Sequence, residues 1–158
     1  LLGFRSRLTN GRDVPNGIYF DLATWHTINS AYARQVWTEQ QRLAVDAMEP
    51  ECFTRLLALI RDRAGHWLAH QVEQAKIALS NHDSAMLPLD RFAPGEQKEL
   101  TRIELELASE TLVKKVEITV SQILRDASLP AGGIDTVFFT GGSSGIPLLR
   151  QRIAALLP

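Results

Sequence analysis

The chain has 158 residues, 45% of them hydrophobic and 22% charged, a balance that supports a folded core and argues against a disordered chain. Seventeen lysines and arginines against 18 acidic residues leave a formal net charge of -1, and no basic stripe interleaved with aromatics occurs, so no nucleic-acid partner is expected. No signal peptide and no apolar run of membrane length is present, which points to a cytoplasmic protein with no membrane partner.

Residues 1 to 20 carry Asn10-Gly11, Pro15 and Asn16-Gly17, three turn signals close together, and are predicted to be irregular. A helix is predicted from about Leu22 to Trp37, with Leu22, Trp25, Ile28, Tyr32 and Val36 on one face. A much longer helical pattern runs from about Pro50 to Ser80. Its apolar residues Phe53, Leu56, Leu57, Ile60, Ala64, Trp67, Leu68, Val72, Ala75 and Leu79 recur at intervals of three and four, with Pro50 suited to the first turn. Gly65 inside this run marks a bend or a break. The single cysteine, Cys52, sits on the apolar side of the same pattern and reads as a buried structural thiol.

Ala85 to Leu89 suggests a short strand, in which Pro88 implies an edge position, and Pro94-Gly95 a turn, so a small hairpin is predicted. Thr101-Arg102-Ile103-Glu104 is a capping box, which opens a helix with a stripe of Leu105, Ala108, Leu112, Val116, Val120, Ile123, Leu124 and Ala127, ending near Leu129-Pro130. Gly132-Gly133 then turns the chain into a predicted strand from Thr136 to Thr140. The apolar run there has no alternation, as expected of a strand covered on both faces. The chain opens at Leu1 without a methionine and stops at Pro158, where a helix should hand over to a further strand, so an excised piece of a larger protein is expected.

The stretch from Val137 to Arg150 combines that strand, a glycine-rich turn and a helix start. Paired glycines let backbone amides approach a ligand with no Cβ in the way, and Pro147 suits the first turn of a helix whose unpaired N–H groups favour an anion. The motif lacks the Gly-Lys-Ser/Thr of a P-loop and the G-x-G-x-x-G of a dinucleotide site. On the long helical pattern, Glu73, Lys76, Ile77 and Ser80 share one face beside the apolar stripe. An acceptor, a cationic donor and a hydroxyl in that row could grip the hydroxyls of a sugar and the edge of a base, but taken alone Glu73 and Lys76 read first as an ordinary surface pair. His66 and His70 stand one turn apart at a spacing that can hold zinc, but no HExxH pattern and no third ligand accompany them. Asp13, Asp21, Asp83 and Asp90 sit near turns or element ends and read as caps or solvated carboxylates, and no catalytic residue is marked out by spacing.

Two segments taken together carry a resemblance. Val72-Glu73-Gln74-Ala75-Lys76-Ile77-Ala78-Leu79-Ser80, followed after a hairpin and a capped helix by Phe139-Thr140-Gly141-Gly142-Ser143-Ser144-Gly145-Ile146-Pro147, is similar to the second lobe of the ATPase domain of DnaK-type heat-shock protein 70 chaperones. The similarity continues through Leu100-Thr101-Arg102 and Ile123-Leu124-Arg125-Asp126-Ala127 and covers residues from about 50 to 158. The first 50 residues look more like a divergent bacterial branch typified by YegD.

The resemblance implies an α+β fold, a fragment of the actin-like ATPase fold. Residues 1–100 would form the helical and hairpin part of lobe II (subdomain IIB), and residues 101–158 a capped helix, strand, glycine turn and helix leading into subdomain IIA. It also implies ATP or ADP as ligand, with magnesium held by parts of the parent that lie outside this chain. Glu73 and Lys76 would contact the ribose hydroxyls and Ser80 the adenine edge, while Gly141, Gly142 and Ser143 would lie against the adenosine and its first phosphate. The family stacks two arginines on the adenine faces; here those positions are Ile77 and Gly145. The expected role is the adenosine-side part of a chaperone ATPase domain, itself not catalytic, with a nucleotide-exchange factor or co-chaperone as a further partner. The alternatives are a pseudo-ATPase interaction scaffold and another actin-fold ATPase or sugar kinase.

Overall fold

A computed structural model describes residues 1–157. The chain divides into two compact units, one made of Leu1–Glu73 with Leu87–Lys98, the other of Gln74–Met86 with the residues from Glu99 on.

In the first unit the N-terminal turns are held by bridges between Arg7 and Asp13 and between Leu8 and Ala47. Helix α1 (Gly17–Ala23) is followed by a 3-10 turn (Ile28–Tyr32) and by α2 (Arg34–Val45). The single helix expected from Leu22 to Trp37 is therefore three pieces. The Thr27 hydroxyl donates to the carbonyls of Asp21 (3.1 Å) and Thr24 (3.0 Å), closing off the end of α1, and Ala33 is extended where α2 begins. Trp25, placed on the apolar face by periodicity, is 63% exposed.

The long pattern from Pro50 to Ser80 is likewise two helices, α3 (Pro50–Arg61) and α4 (Gly65–Leu79), so Gly65 stands at a break. The reversal between them is a Schellman closure. Ala64 N–H donates to Leu59 O (3.0 Å) and Arg63 N–H to Ile60 O (3.2 Å), with Arg63 itself in the left-handed region at φ 49° and Ala64 and Leu59 both fully buried. Gly65 serves a different purpose. A Cβ on it would stand 2.6 Å from Ile28 Cγ2 and 2.7 Å from the Tyr32 hydroxyl, and its N–H donates to that hydroxyl at 2.9 Å. The glycine lets α4 start against the 3-10 turn.

The core of this unit gathers Leu8, Val14, Ile18, Tyr19, Ala31, Ala47, Phe53, Leu56 and Ile60. Tyr19 donates its hydroxyl to Leu2 O (3.0 Å), and burial pushes its phenol up to about 12. Cys52 is only half-buried, short of the full burial expected.

The predicted hairpin is present as β1 (Ser84–Pro88) and β2 (Gln97–Thr101). Backbone bonds from Leu89 N–H to Glu96 O (3.1 Å) and from Arg102 N–H to Asp83 O (2.9 Å) bracket an antiparallel pair, and Gly95 turns the tip at φ 77°.

In the second unit the hairpin leads into α5 (Arg102–Asp126), whose Thr101 side chain and Glu104 form the expected capping box. Helix α6 (Pro147–Leu156) packs on α5. Val113 and Ile153 are buried, and Arg152 of α6 reaches Glu117 (2.7 Å) and Glu110 (3.4 Å) of α5. Of the stripe read along α5, Leu105, Val116, Val120 and Leu124 are half-buried, whereas Ala108, Leu112, Ile123 and Ala127 are exposed. The predicted strand from Thr136 to Thr140 is not a strand: the segment pairs with neither β1 nor β2, and Phe138 is 85% exposed. A strand exists only through the ladder it makes with a neighbour, and among the described residues this one has none. Nor is any helix among them long and apolar enough to cross a membrane.

Candidate functional site

The glycine turn is built by conformation rather than by packing. Gly141 has φ 86° and ψ 161°, a region open to glycine and costly for any L side chain, and Gly142 to Gly145 form one 3-10 turn behind it. A Cβ placed on Gly141 or Gly142 would meet nothing within 4 Å. Steric crowding inside the protein therefore does not require small residues there, and the open side is available to a ligand. The turn is closed by Ser144, whose hydroxyl donates to Gly141 O at 2.6 Å. Arg150, one turn into α6, donates from Nε to Ser144 O at 2.6 Å and lies over the Phe139 ring with its guanidinium carbon 5.7 Å from the ring centre. Pro147 occupies the first turn of α6, as its fixed φ favours.

Lys76, Ile77 and Ser80 belong to the same unit as this turn, and Glu73 lies on the same face of α4 one turn earlier. Glu73, Lys76 and Ile77 are exposed, Ile77 to 53%, and Ser80 is half-buried just past the end of the helix. Ser80 N–H donates to Lys76 O and Ile77 O, both at 3.2 Å, and its hydroxyl to Lys76 O at 3.2 Å. Gly145 is brought against this serine: a Cβ at Gly145 would lie 3.6 Å from Ser80 Oγ, an ordinary contact distance. Two segments 65 residues apart in sequence thus meet. Neither steric crowding nor backbone conformation obliges position 145 to be glycine. Ser143, on the outer part of the turn, is exposed and accepts from Ile146 N–H at 3.2 Å.

Two arginines that no local pattern marks as important support the site. Arg150 holds the turn, and Arg102 donates from Nε to Leu79 O at 3.1 Å, at the end of α4. Both bonds span a change of direction in the chain, which helical or strand periodicity does not report.

Elsewhere, His66 keeps Nδ1 buried with no hydrogen-bond partner and its ring lies 4.7 Å from that of Trp25, while His70 is exposed. Among the described residues no group of three or more His, Cys, Asp or Glu could hold a metal ion. Asp13 faces Arg7 at 3.6 Å, Asp83 faces Arg102 at 3.3 Å, and Asp90 accepts weakly from Gly95 N–H at 3.4 Å, all as turn-stabilising carboxylates.

The model of the Hsp70 protein family matches residues 58–157, the stretch from the end of α3 through α4, the hairpin, α5, the glycine turn and α6. Among curated relatives the chain is similar to the chaperone protein HscA of Proteus mirabilis, 33% identical over 118 residues, which is 68% of this chain and 18% of that protein. It is also similar to the chaperone protein dnaK of Thalassiosira pseudonana, 35% identical over 95 residues, 56% of this chain and 16% of the relative. HscA of Serratia proteamaculans is 32% identical over 98 residues, 60% of this chain and 15% of the relative. The chain thus spans less than a fifth of the length of each of these relatives. Its helices and one small antiparallel hairpin agree with a fragment of the actin-like ATPase fold. Because that family model matches more than half of the chain, the chain belongs to the Hsp70 family.

Proposed function

We propose that this chain is the adenosine-side part of the nucleotide-binding domain of a DnaK-like chaperone ATPase, drawn from lobe II and from the YegD-like branch. Residues 1–100 supply the helical and hairpin part (IIB-like) and residues 101–158 lead into the IIA-like part. The observation that carries the reading is the apposition of Ser80 and the turn at Gly145 inside one unit, with open space over Gly141 and Gly142. The branch assignment rests on the likeness of the first 50 residues to that branch.

In this reading Glu73 accepts from a ribose hydroxyl and Lys76 donates to one, while Ser80 presents its hydroxyl to the adenine edge. Gly141, Gly142 and Ser143 lie along the adenosine and its first phosphate, where a backbone without Cβ atoms allows close approach. Ile77 offers an apolar face to the base. Magnesium and the phosphoryl-transfer machinery are assigned in this reading to other parts of the parent, because that chemistry depends on positioning metal and water around the terminal phosphate. Adenine nucleotide, with a nucleotide-exchange factor or co-chaperone as further partner, and a cytoplasmic setting complete the proposal.

The test is titration of the full-length protein with ATP. Glu73→Ala should weaken binding by about 10- to 100-fold, the size of a hydrogen bond to a charged group; equal affinity would sink the assignment. A second reading is favoured by one observation, the lack of any guanidinium at positions 77 and 145, where Ile77 is exposed and Gly145 has no side chain. A planar cation stacks on a purine as neither residue does. In that reading the protein is a pseudo-ATPase scaffold, and full-length protein would capture a protein partner stably while binding no ATP.

A further inference from the structure

We infer that Arg102 is a positioning residue for the base of the nucleotide: it fixes Ser80 through the peptide unit that joins Leu79 to Ser80, without touching the ligand. The inference rests on the adenosine reading above.

The end of a helix leaves its last carbonyls without intrahelical donors. At the end of α4, Lys76 O and Ile77 O accept from Ser80 N–H, and Ala78 O accepts from Asn81 N–H (3.0 Å) and His82 N–H (2.9 Å). The carbonyl of Leu79, a residue only 2% exposed, accepts from Arg102 Nε at 3.1 Å. That carbonyl and Ser80 N–H belong to one planar peptide unit, so a bond to the oxygen also sets the orientation from which the Ser80 side chain departs. A cation there is favoured by the negative end of the helix dipole.

Arg102 is itself anchored. It is the first residue of α5, directly after the Thr101 cap, where Thr101 N–H donates to Glu104 Oε2 at 2.8 Å and Glu104 N–H to the Thr101 hydroxyl at 3.2 Å. Its backbone N–H donates to Asp83 O at 2.9 Å, and its Nη1 lies 3.3 Å from Asp83 Oδ1. One residue therefore ties down both ends of the turn from Ser80 to Asp83. The planar guanidinium reaches the carbonyl from one edge nitrogen and the carboxylate from another, a division that the point charge of lysine does not reproduce. All of these groups lie in the unit that also contains Gly145, the neighbour of Ser80 Oγ.

The experiment is a double-mutant cycle in the full-length protein, with wild type, Arg102→Lys, Ser80→Ala and the double variant, each titrated with ATP and with ITP, which differs at the purine edge. Arg102→Lys should weaken ATP binding about three- to ten-fold, the size of one hydrogen bond, and reduce the preference for ATP over ITP. In the Ser80→Ala background the same change should cost nothing further. Asp83→Asn, which leaves the arginine in place but removes its carboxylate partner, should give a smaller loss in the same direction and guards against a folding defect in Arg102→Lys. A general loss of structure would lower ATP and ITP binding alike and would add to the effect of Ser80→Ala. Additive losses, or no loss with Arg102→Lys, would overturn the positioning role while leaving the adenosine reading intact. An unchanged affinity in Ser80→Ala would overturn the assignment of Ser80 and the inference together.

Discussion

The two units bury their apolar residues very differently. In the first, Ile28, Phe53, Leu56 and Leu59 are fully enclosed. Among the described residues of the second, only Ala75, Leu79, Val113 and Ile153 are buried apolar side chains, while α5 leaves Ile103, Leu107, Leu112, Ile118 and Ile123 exposed. Helical periodicity looks alike in both units. It reports that a face is apolar, and says nothing of whether another element covers it. The proposed site follows the same division, since the glycine turn and Lys76, Ile77 and Ser80 belong to the second unit.

The largest expected effect separates the units directly. Phe53→Ala should destabilise the protein by about 3–5 kcal/mol, because a fully enclosed ring leaves a cavity, whereas Leu112→Ala should stay within about 0.5 kcal/mol. Denaturant unfolding of both variants breaks the comparison if their costs are similar. Next is Gly65→Ala, expected to cost about 1–3 kcal/mol, because the new Cβ would press on Ile28 and Tyr32 at distances no real contact shows. An unchanged midpoint would mean that the start of α4 is not wedged as described.

The smallest effect concerns charge in the second unit. The hydrogen bond from Arg152 holds the Glu117 carboxyl below its ordinary value of 4.5. A carboxylate depressed by folding contributes its stability above that ordinary value and loses it as the pH falls through the folded-state value. The stability difference between wild type and Glu117→Gln should therefore be present at neutral pH and shrink as the solution is acidified below about 4.5. A difference that did not change with pH would show that the Glu117 carboxylate contributes nothing to holding α6 on α5.

Local chemistry made much of the fold legible. Pro50 and Pro147 mark helix starts, Thr101 with Glu104 marks the capped start of α5, and Pro94-Gly95 marks the hairpin tip. What was not legible depended on hydrogen bonds and contacts that hydrophobic periodicity does not report. No glycine or proline announces the breaks between α1 and α2, which rest on the Thr27 hydroxyl and the extended Ala33. Gly65 signalled a bend or a break, and the chain does break there, yet the left-handed residue is Arg63, and the glycine answers to Ile28 and Tyr32 far back in the chain. The apolar run Val137-Phe138-Phe139 signalled a strand, and that reading failed because a ladder needs a second strand, which no local pattern reports. For the site, helical spacing put Glu73, Lys76, Ile77 and Ser80 on one face, while the meeting of Ser80 with Gly145 and the bond from Arg102 to Leu79 lay beyond any local pattern.

The open position at Gly145 gives the most direct measurement of the central claim. A side chain there would make ordinary contact with Ser80, so Gly145→Arg tests the site without forcing the backbone. Calorimetric titration of the full-length wild type and Gly145→Arg with ATP should show binding by both. The variant should bind about 2- to 30-fold more tightly, as expected for a guanidinium stacked on the base. No ATP binding by either protein, or an affinity that the arginine leaves unchanged, would contradict an adenine nucleotide seated between this turn and Ser80.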